Sequence, residues 1–122
     1  MKIAVSNLLV FADSIKNSQT EKILLLCFNS AKQVIYKKIF SQHKSTHVRF
    51  TARTIFTPVL KNNCTHIVLV HNHPSGRVFP SDADYITTMA LFETAQLLEI
   101  KLIDHLIVSR EDYFSFCEAG IL

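Results

Sequence analysis

His71 and His73 stand two residues apart where an apolar run, Thr65-His-Ile-Val-Leu-Val-His71, comes to its end. Side chains at i and i+2 of extended backbone point to the same face, so both imidazoles can converge on one point. A buried strand ending in His-x-His has little structural use for two rings there, whereas a metal ion has. The following segment, Asn72 to Asp84, carries Pro74, Gly76 and Pro80 as turn punctuation and then opens a helix. Such a loop can return the helix start towards the histidines, where Asp84 supplies a hard oxygen ligand. Two histidines and one carboxylate leave the fourth position of a tetrahedral zinc to water, as in a catalytic rather than a closed structural site. Zinc in that setting brings the pKa of bound water to about 7.

Ser81 and Asp84 have a second reading. Ser81-x-x-Asp84 is also a capping box, with the hydroxyl on the third helical amide and the carboxylate on the cap amide. Spacing alone leaves both readings open. Among the other histidines, His66 has the opposite strand parity from His71, and His43 and His47 sit in or beside a polar stretch. His105 follows Asp104 in another apolar run; it is either a satisfied structural residue or part of a network behind the ligands. Cys27, Cys64 and Cys117 form no CxxC pair and read as free thiols in a reducing compartment.

The elements that must position these groups can be read from periodicity. Residues 3–15 suggest a short amphipathic helix, and Lys22-Ile-Leu-Leu-Leu-Cys-Phe28 a buried strand returning through a turn into a second strand over 33–40. A loop follows around Gln42 to Thr46, with an extended segment near 47–50. Thr51 caps a helix running to about Asn62, with Ile55, Phe56, Val59 and Leu60 as its apolar stripe; Pro58 is expected to bend or shorten it. Residues 65–71 make the clearest central strand. Ser81 opens a long helix to about Leu98, with Ile86, Met89, Ala90, Phe92, Leu97 and Leu98 among its apolar positions. Residues 101–108 form another strand and Tyr113 to Phe116 an edge strand or turn. Strands and helices interleave around one sheet, so the fold class is mixed α/β, α+β-like.

The 122 residues are 48% hydrophobic with only 2 Gly and 3 Pro, which excludes a disordered chain and fits a single domain with its own core. No apolar run reaches the roughly 20 residues that span a membrane, and the expectation is a cytoplasmic protein with no membrane partner. Residues 1–61 hold ten Lys/Arg against Asp13 and Glu21, while residues 62–122 hold three against eight acids. The basic N-terminal half either meets nucleic acid or neutralises the acidic half on folding. Sequence alone singles out no nucleic-acid-binding residue.

The pattern His71-Asn-His73, seven residues, Ser81-x-x-Asp84 resembles that of the JAB/JAMM (MPN+) metalloprotease-type superfamily. Within it, His71-Asn-His-Pro-Ser-Gly76, Pro80-Ser81, Asp104-His-Leu-Ile-Val108 and Tyr113-Phe-Ser-Phe116 are most similar to the C-terminal domain of RadC-like proteins. The resemblance covers roughly residues 18 to 122. It implies a central mixed β-sheet flanked by helices, of cytidine-deaminase-like architecture, and one Zn²⁺ per chain on His71, His73 and Asp84. It implies also a catalytic Glu21 as general base and a catalytic Ser81 that helps hold an oxyanion. Asn72, Ser75 and His105 become candidates for support around the ligands. The implied activity is hydrolysis of a peptide or isopeptide bond in a peptide or protein substrate; the alternatives are a DNA-associated accessory protein and a non-catalytic scaffold. An exposed strand edge could support a homodimer. Arg53-Thr54 stands where these domains usually show Arg-Glu, and the helix-hairpin-helix-like N-terminal region of full-length relatives is expected to be absent.

Overall fold

The two most apolar runs, β1 (Lys22–Phe28) and β3 (His66–Asn72), lie side by side near the centre of a five-stranded sheet. The computed structural model describes residues 2–41 and 50–122, so the loop expected around 42–46 and all but Phe50 of the extended segment expected near 47–50 lie outside the described residues. The remaining elements are α1 (Val5–Ala12), β2 (Val34–Ser41), α2 (Ala52–Lys61), α3 (Asp82–Leu97), β4 (Lys101–Val108) and β5 (Tyr113–Ser115). Strand order is β2-β1-β3-β4-β5. β3 and β4 run parallel, joined through α3, while β1/β2, β1/β3 and β4/β5 are antiparallel. This is the mixed α/β fold expected from the sequence. Among the described residues no helix is long and apolar enough to cross a membrane.

Both faces of the sheet are covered, which is why β1 and β3 read as continuous apolar runs. Ile23, Leu25, Cys27, Ile67 and Leu69 pack towards α2 and α3; Leu24, Leu26, Phe28, Val68 and Val70 pack towards α1. This alternation also sets the site. By parity His71 continues the α3 face and Asn72 the α1 face. Cys27 and Cys64 are buried free thiols, and burial, with Cys64 beside it, pushes the Cys27 thiol up.

Several expectations need correction. α1 ends at Ala12, and turns carry the chain on to Ile15, whose burial beside Leu8 and Ala12 extends the helical periodicity past the helix itself. Pro58 sits inside α2 without ending it. The carbonyl that loses its helical donor belongs to exposed Thr54, and the Pro58 ring is buried against the core, offsetting the lost bond. Leu60 is exposed rather than part of the stripe. In α3 the expected apolar set is largely on the outside: Ile86 is 64% exposed and Leu97 85%. The buried residues are Thr88, Leu91 and Ala95, with Phe92 half-buried, because apolar residues occur all round this helix and periodicity selects no single face.

Substitutions on α3 check this orientation. Leu91→Ala should cost about 2–5 kcal/mol in urea unfolding, while Leu97→Ala should cost less than about 0.5 kcal/mol. Equal costs at the two positions would contradict the described face.

Candidate metal centre

His71 pairs with Ile23 across β1/β3, so the start of β1 lies beside the end of β3. That pairing carries Glu21 to the histidines, and its Oε1 is 3.5 Å from Nε2 of buried His71. The contact is too poorly formed to count as a hydrogen bond: His71 Nε2 remains a buried nitrogen without a hydrogen-bond partner among the described residues. The imidazole holds the Glu21 carboxyl below its ordinary value, against the opposing effect of partial burial. Ligand atoms of Glu21, His71 and His73 all lie within 4.8 Å of one another.

Asn72 explains how Glu21 is held there. Its side chain, fully buried, turns to the other face from His71 and spans the gap to the segment before β1. Oδ1 accepts from Lys22 N at 2.6 Å, and Nδ2 donates to Ser18 O at 3.2 Å and Thr20 O at 3.0 Å. The carboxamide therefore grips backbone on both sides of Glu21, in two directions that need both a donor and an acceptor. In His-Asn-His the outer residues face the centre and the middle one fastens the glutamate.

His73 lies just beyond β3, its amide donating to Val108 O at 3.0 Å. It opens a turn, closed by Gly76 N donating to His73 O at 3.0 Å, and Gly76 takes the positive φ of 87° that favours glycine. Val78, buried against Ile107 and Phe116, anchors the loop. His73 Nδ1 lies 2.7 Å from Arg77 O and must donate to it, since a carbonyl only accepts. In a neutral ring that leaves a bare lone pair on Nε2, which faces Asp84 Oδ2 at 3.0 Å. A lone pair and a carboxylate at that distance repel unless a proton or a cation joins them. Asp84 raises the affinity of His73 for a proton, opposed by burial and aided by the Arg77 carbonyl. Burial pushes the Asp84 carboxyl up, but His73 and the Ser81 amide outweigh it and hold it well below the usual carboxylate range.

The capping reading of Ser81 and Asp84 is realised. Ser81 Oγ accepts from Asp84 N at 3.0 Å and Asp84 Oδ2 accepts from Ser81 N at 3.0 Å, a complete capping box. A carboxylate has lone pairs to spare, so capping leaves Asp84 free to meet His73 with Oδ2 and to turn Oδ1 towards His71 Nδ1, 3.9 Å away. Ser81 uses its oxygen as acceptor, and its hydroxyl proton remains available.

A cavity of about 210 Å³ opens on this cluster, walled by Glu21, His71, Ser81, Asp84, Phe50 and His105. His105 is buried, which pushes its pKa down to about 3, with His71 adding to the effect. The donor types fit a cation: the ligand atoms that converge are those of Glu21, His71 and His73, while the expected ligand Asp84 stands outside that group and meets it through His73. Ser75 is not part of it; it is exposed in the turn, where Oγ accepts from Arg77 N at 3.3 Å. His66 lies at the far end of β3, bonded to Thr65, and His43 and His47 lie outside the described residues. Thr54 stands on the first turn of α2, three residues after the Thr51 cap, the position at which a glutamate would complete a capping box, and it does not line the cavity. Sequence reasoning missed Thr88, buried one helical turn after Asp84; a lone threonine in a helix carries no signal of its own.

A family model described as RadC-like JAB domain matches residues 4–121. A UPF0758 protein of Picosynechococcus sp. is 35% identical over 113 residues, covering 93% of this chain and 44% of that relative. A UPF0758 protein of Flavobacterium johnsoniae is 35% identical over 101 residues, 83% of this chain and 44% of its own length. One of Thermotoga maritima is 34% identical over 104 residues, 85% and 47% respectively. The chain thus spans less than half the length of these three relatives.

The Asn72 contacts make a prediction for stability. Asn72→Ala should lower the unfolding free energy by about 2–4 kcal/mol, from three hydrogen bonds worth about 0.5–1.5 kcal/mol each. Asn72→Asp should be no better, because a carboxylate cannot donate to Ser18 O or Thr20 O. Chemical denaturation of the three proteins measures it; a fully stable Asp variant would contradict the assigned donors.

Proposed function

The chain belongs to the RadC-like JAB domain family, and from that premise we propose that it is a zinc-dependent hydrolase of peptide or isopeptide bonds. The observation that carries the reading is the facing of His73 Nε2 and Asp84 Oδ2 at 3.0 Å, with His71 and Glu21 close to His73 and Glu21, His71 and Asp84 lining one cavity. His71, His73 and Asp84 would hold the ion. Zinc bound there would supply a Lewis acid for the scissile carbonyl and a water acidic enough to lose its proton near neutral pH.

The chain's own groups supply the rest. Glu21, partly exposed and ionised below the ordinary carboxylate range, would take a proton at Oε1 and return it to the departing amine. Ser81 is a hydrogen-bond acceptor within its cap, so its free O–H can donate to an oxygen that gains negative charge during the reaction. Both groups are held by backbone contacts, Glu21 through Asn72 and Ser81 through the helix cap.

A second reading, contact with nucleic acid, draws on charge. Residues 22–81 contain nine Lys/Arg and no Asp or Glu. They include β2, with exposed Lys37 and Lys38 at one sheet edge, whereas β4 and β5, with the acidic chain end, lie at the other. Binding through that edge would weaken steeply with added salt; affinity for DNA that is absent, or indifferent to salt, would rule it out.

Metal analysis tests the first reading. The purified chain should hold close to one zinc, and the double variant His71→Ala/His73→Ala should hold none. Glu21→Gln should keep the metal while hydrolysis of peptide or isopeptide substrates falls by about 10²–10⁴-fold. Undiminished hydrolysis in Glu21→Gln, or a wild-type chain that takes up no metal, would reject it.

A further inference from the structure

His105 is fixed on three sides before it meets α3. Its amide donates to Asp104 Oδ1 at 2.7 Å, its carbonyl accepts from Phe116 N at 3.1 Å, and its ring lies flat on Phe116 with centroids 4.9 Å apart. Asp104 is itself held by Ser115 Oγ at 2.6 Å and Cys117 N at 3.0 Å. The buried hydroxyl of Thr88 stands between this unit and the metal centre, 2.6 Å from His105 Nδ1 and 2.7 Å from the Asp84 carbonyl.

The direction of these bonds follows from proton count. A threonine hydroxyl has one proton, and a carbonyl can only accept. The Thr88 proton therefore goes to Asp84 O, and His105 Nδ1–H must donate to Thr88 Oγ1. His105 Nε2 is then bare, and it has no hydrogen-bond partner among the described residues. A threonine bonding back to the carbonyl four residues earlier is common in helices. A buried imidazole donating into that hydroxyl from another strand is a further, specific constraint.

Its position gives it a consequence. Buried α3 residues begin at Thr88 and continue with Leu91 and Ala95, so no buried side chain anchors the turn before Thr88. That turn carries Asp84, whose carboxylate must serve the cap, His73 and the cation together.

We propose that Thr88 and His105 are positioning residues for the metal centre: their relay fixes the turn bearing Asp84, and cation affinity depends on it. The proposal rests on the metal-site reading above. Cutting a bond that orients a ligand weakens metal binding by about 10–100-fold. A Thr back-bond that merely stabilises the helix would lower the melting temperature and leave that affinity alone.

The test is Zn²⁺ affinity by competition with a chromophoric chelator, with melting of the metal-free protein recorded alongside. Thr88→Val keeps the shape and loses the hydroxyl; Thr88→Ser restores the hydroxyl. His105→Asn keeps a donor near Nδ1, whereas His105→Gln moves it towards Nε2. Thr88→Val and His105→Gln should bind zinc about 10–100-fold more weakly than wild type, with Thr88→Ser and His105→Asn recovering most of the loss. Wild-type affinity in a folded Thr88→Val chain overturns the relay alone. A wild-type chain that binds no zinc overturns the metal-site reading and the relay with it. Long-range ¹H–¹⁵N correlation on the metal-free wild-type protein gives an independent readout. It should show His105 protonated at Nδ1 and bare at Nε2; the opposite tautomer overturns the relay without any variant having to fold.

Discussion

Everything at the centre depends on one buried carboxamide. β1 and β3 are paired only as far as Ile23 and His71, and beyond that point the ladder has no regular partner for Lys22. The Asn72 side chain takes over, accepting from Lys22 N and donating to Ser18 O and Thr20 O. Without it, the segment that carries Glu21 would keep its pairing to β2 at Lys22 but lose its side-chain tie to β3. The pleat makes this economical: Asn72, which fastens the glutamate, and His71 are neighbours at the end of one strand, facing opposite ways, with His73 just beyond it.

The electrostatics of the centre are as constrained as its geometry. Two carboxylates, Glu21 and Asp84, flank two imidazoles, and the partners lower both carboxyl pKa values. Negative charge gathered this way is comfortable only when a proton on His73 or a cation among the ligands balances it. Asp84 adds a structural duty, since the oxygen that meets His73 also closes the cap of α3. Helix start and the His73–Asp84 contact are thus one arrangement. A charge-conserving Asp84→Glu change would move the carboxylate by a methylene and disturb both.

How much of this was legible depended on whether neighbours in sequence were neighbours in space. β1, β3 and β4 were readable as apolar runs because both faces of the sheet are covered. The Thr51 and Ser81 caps were readable because a cap is a local contact. α3 was readable in extent but not in orientation: its buried side rests on Thr88, Leu91 and Ala95, while large apolar residues such as Leu97 face outward. Pro58 misled because the cost of proline in a helix assumes nothing nearby compensates, and here the core receives the ring.

The sequence by itself determined the side-chain types at His71, His73, Ser81 and Asp84 and their local geometry, through the period of a strand and the spacing of a cap. It also marked the runs at 22–28, 33–40, 65–71 and 101–108 as strands, while Tyr113 to Phe116 stayed open between strand and turn. Only the tertiary structure decided that Glu21 stands 3.5 Å from His71 across the sheet, since strand pairing between residues 50 positions apart leaves no trace in periodicity. The Asn72 grip and the Thr88–His105 contact arose in the same way, from side chains that meet only once β1, β3, α3 and β4 have packed. Hydrogen bonds act over about 3 Å, and no spacing along the chain reports which distant groups folding will bring that close.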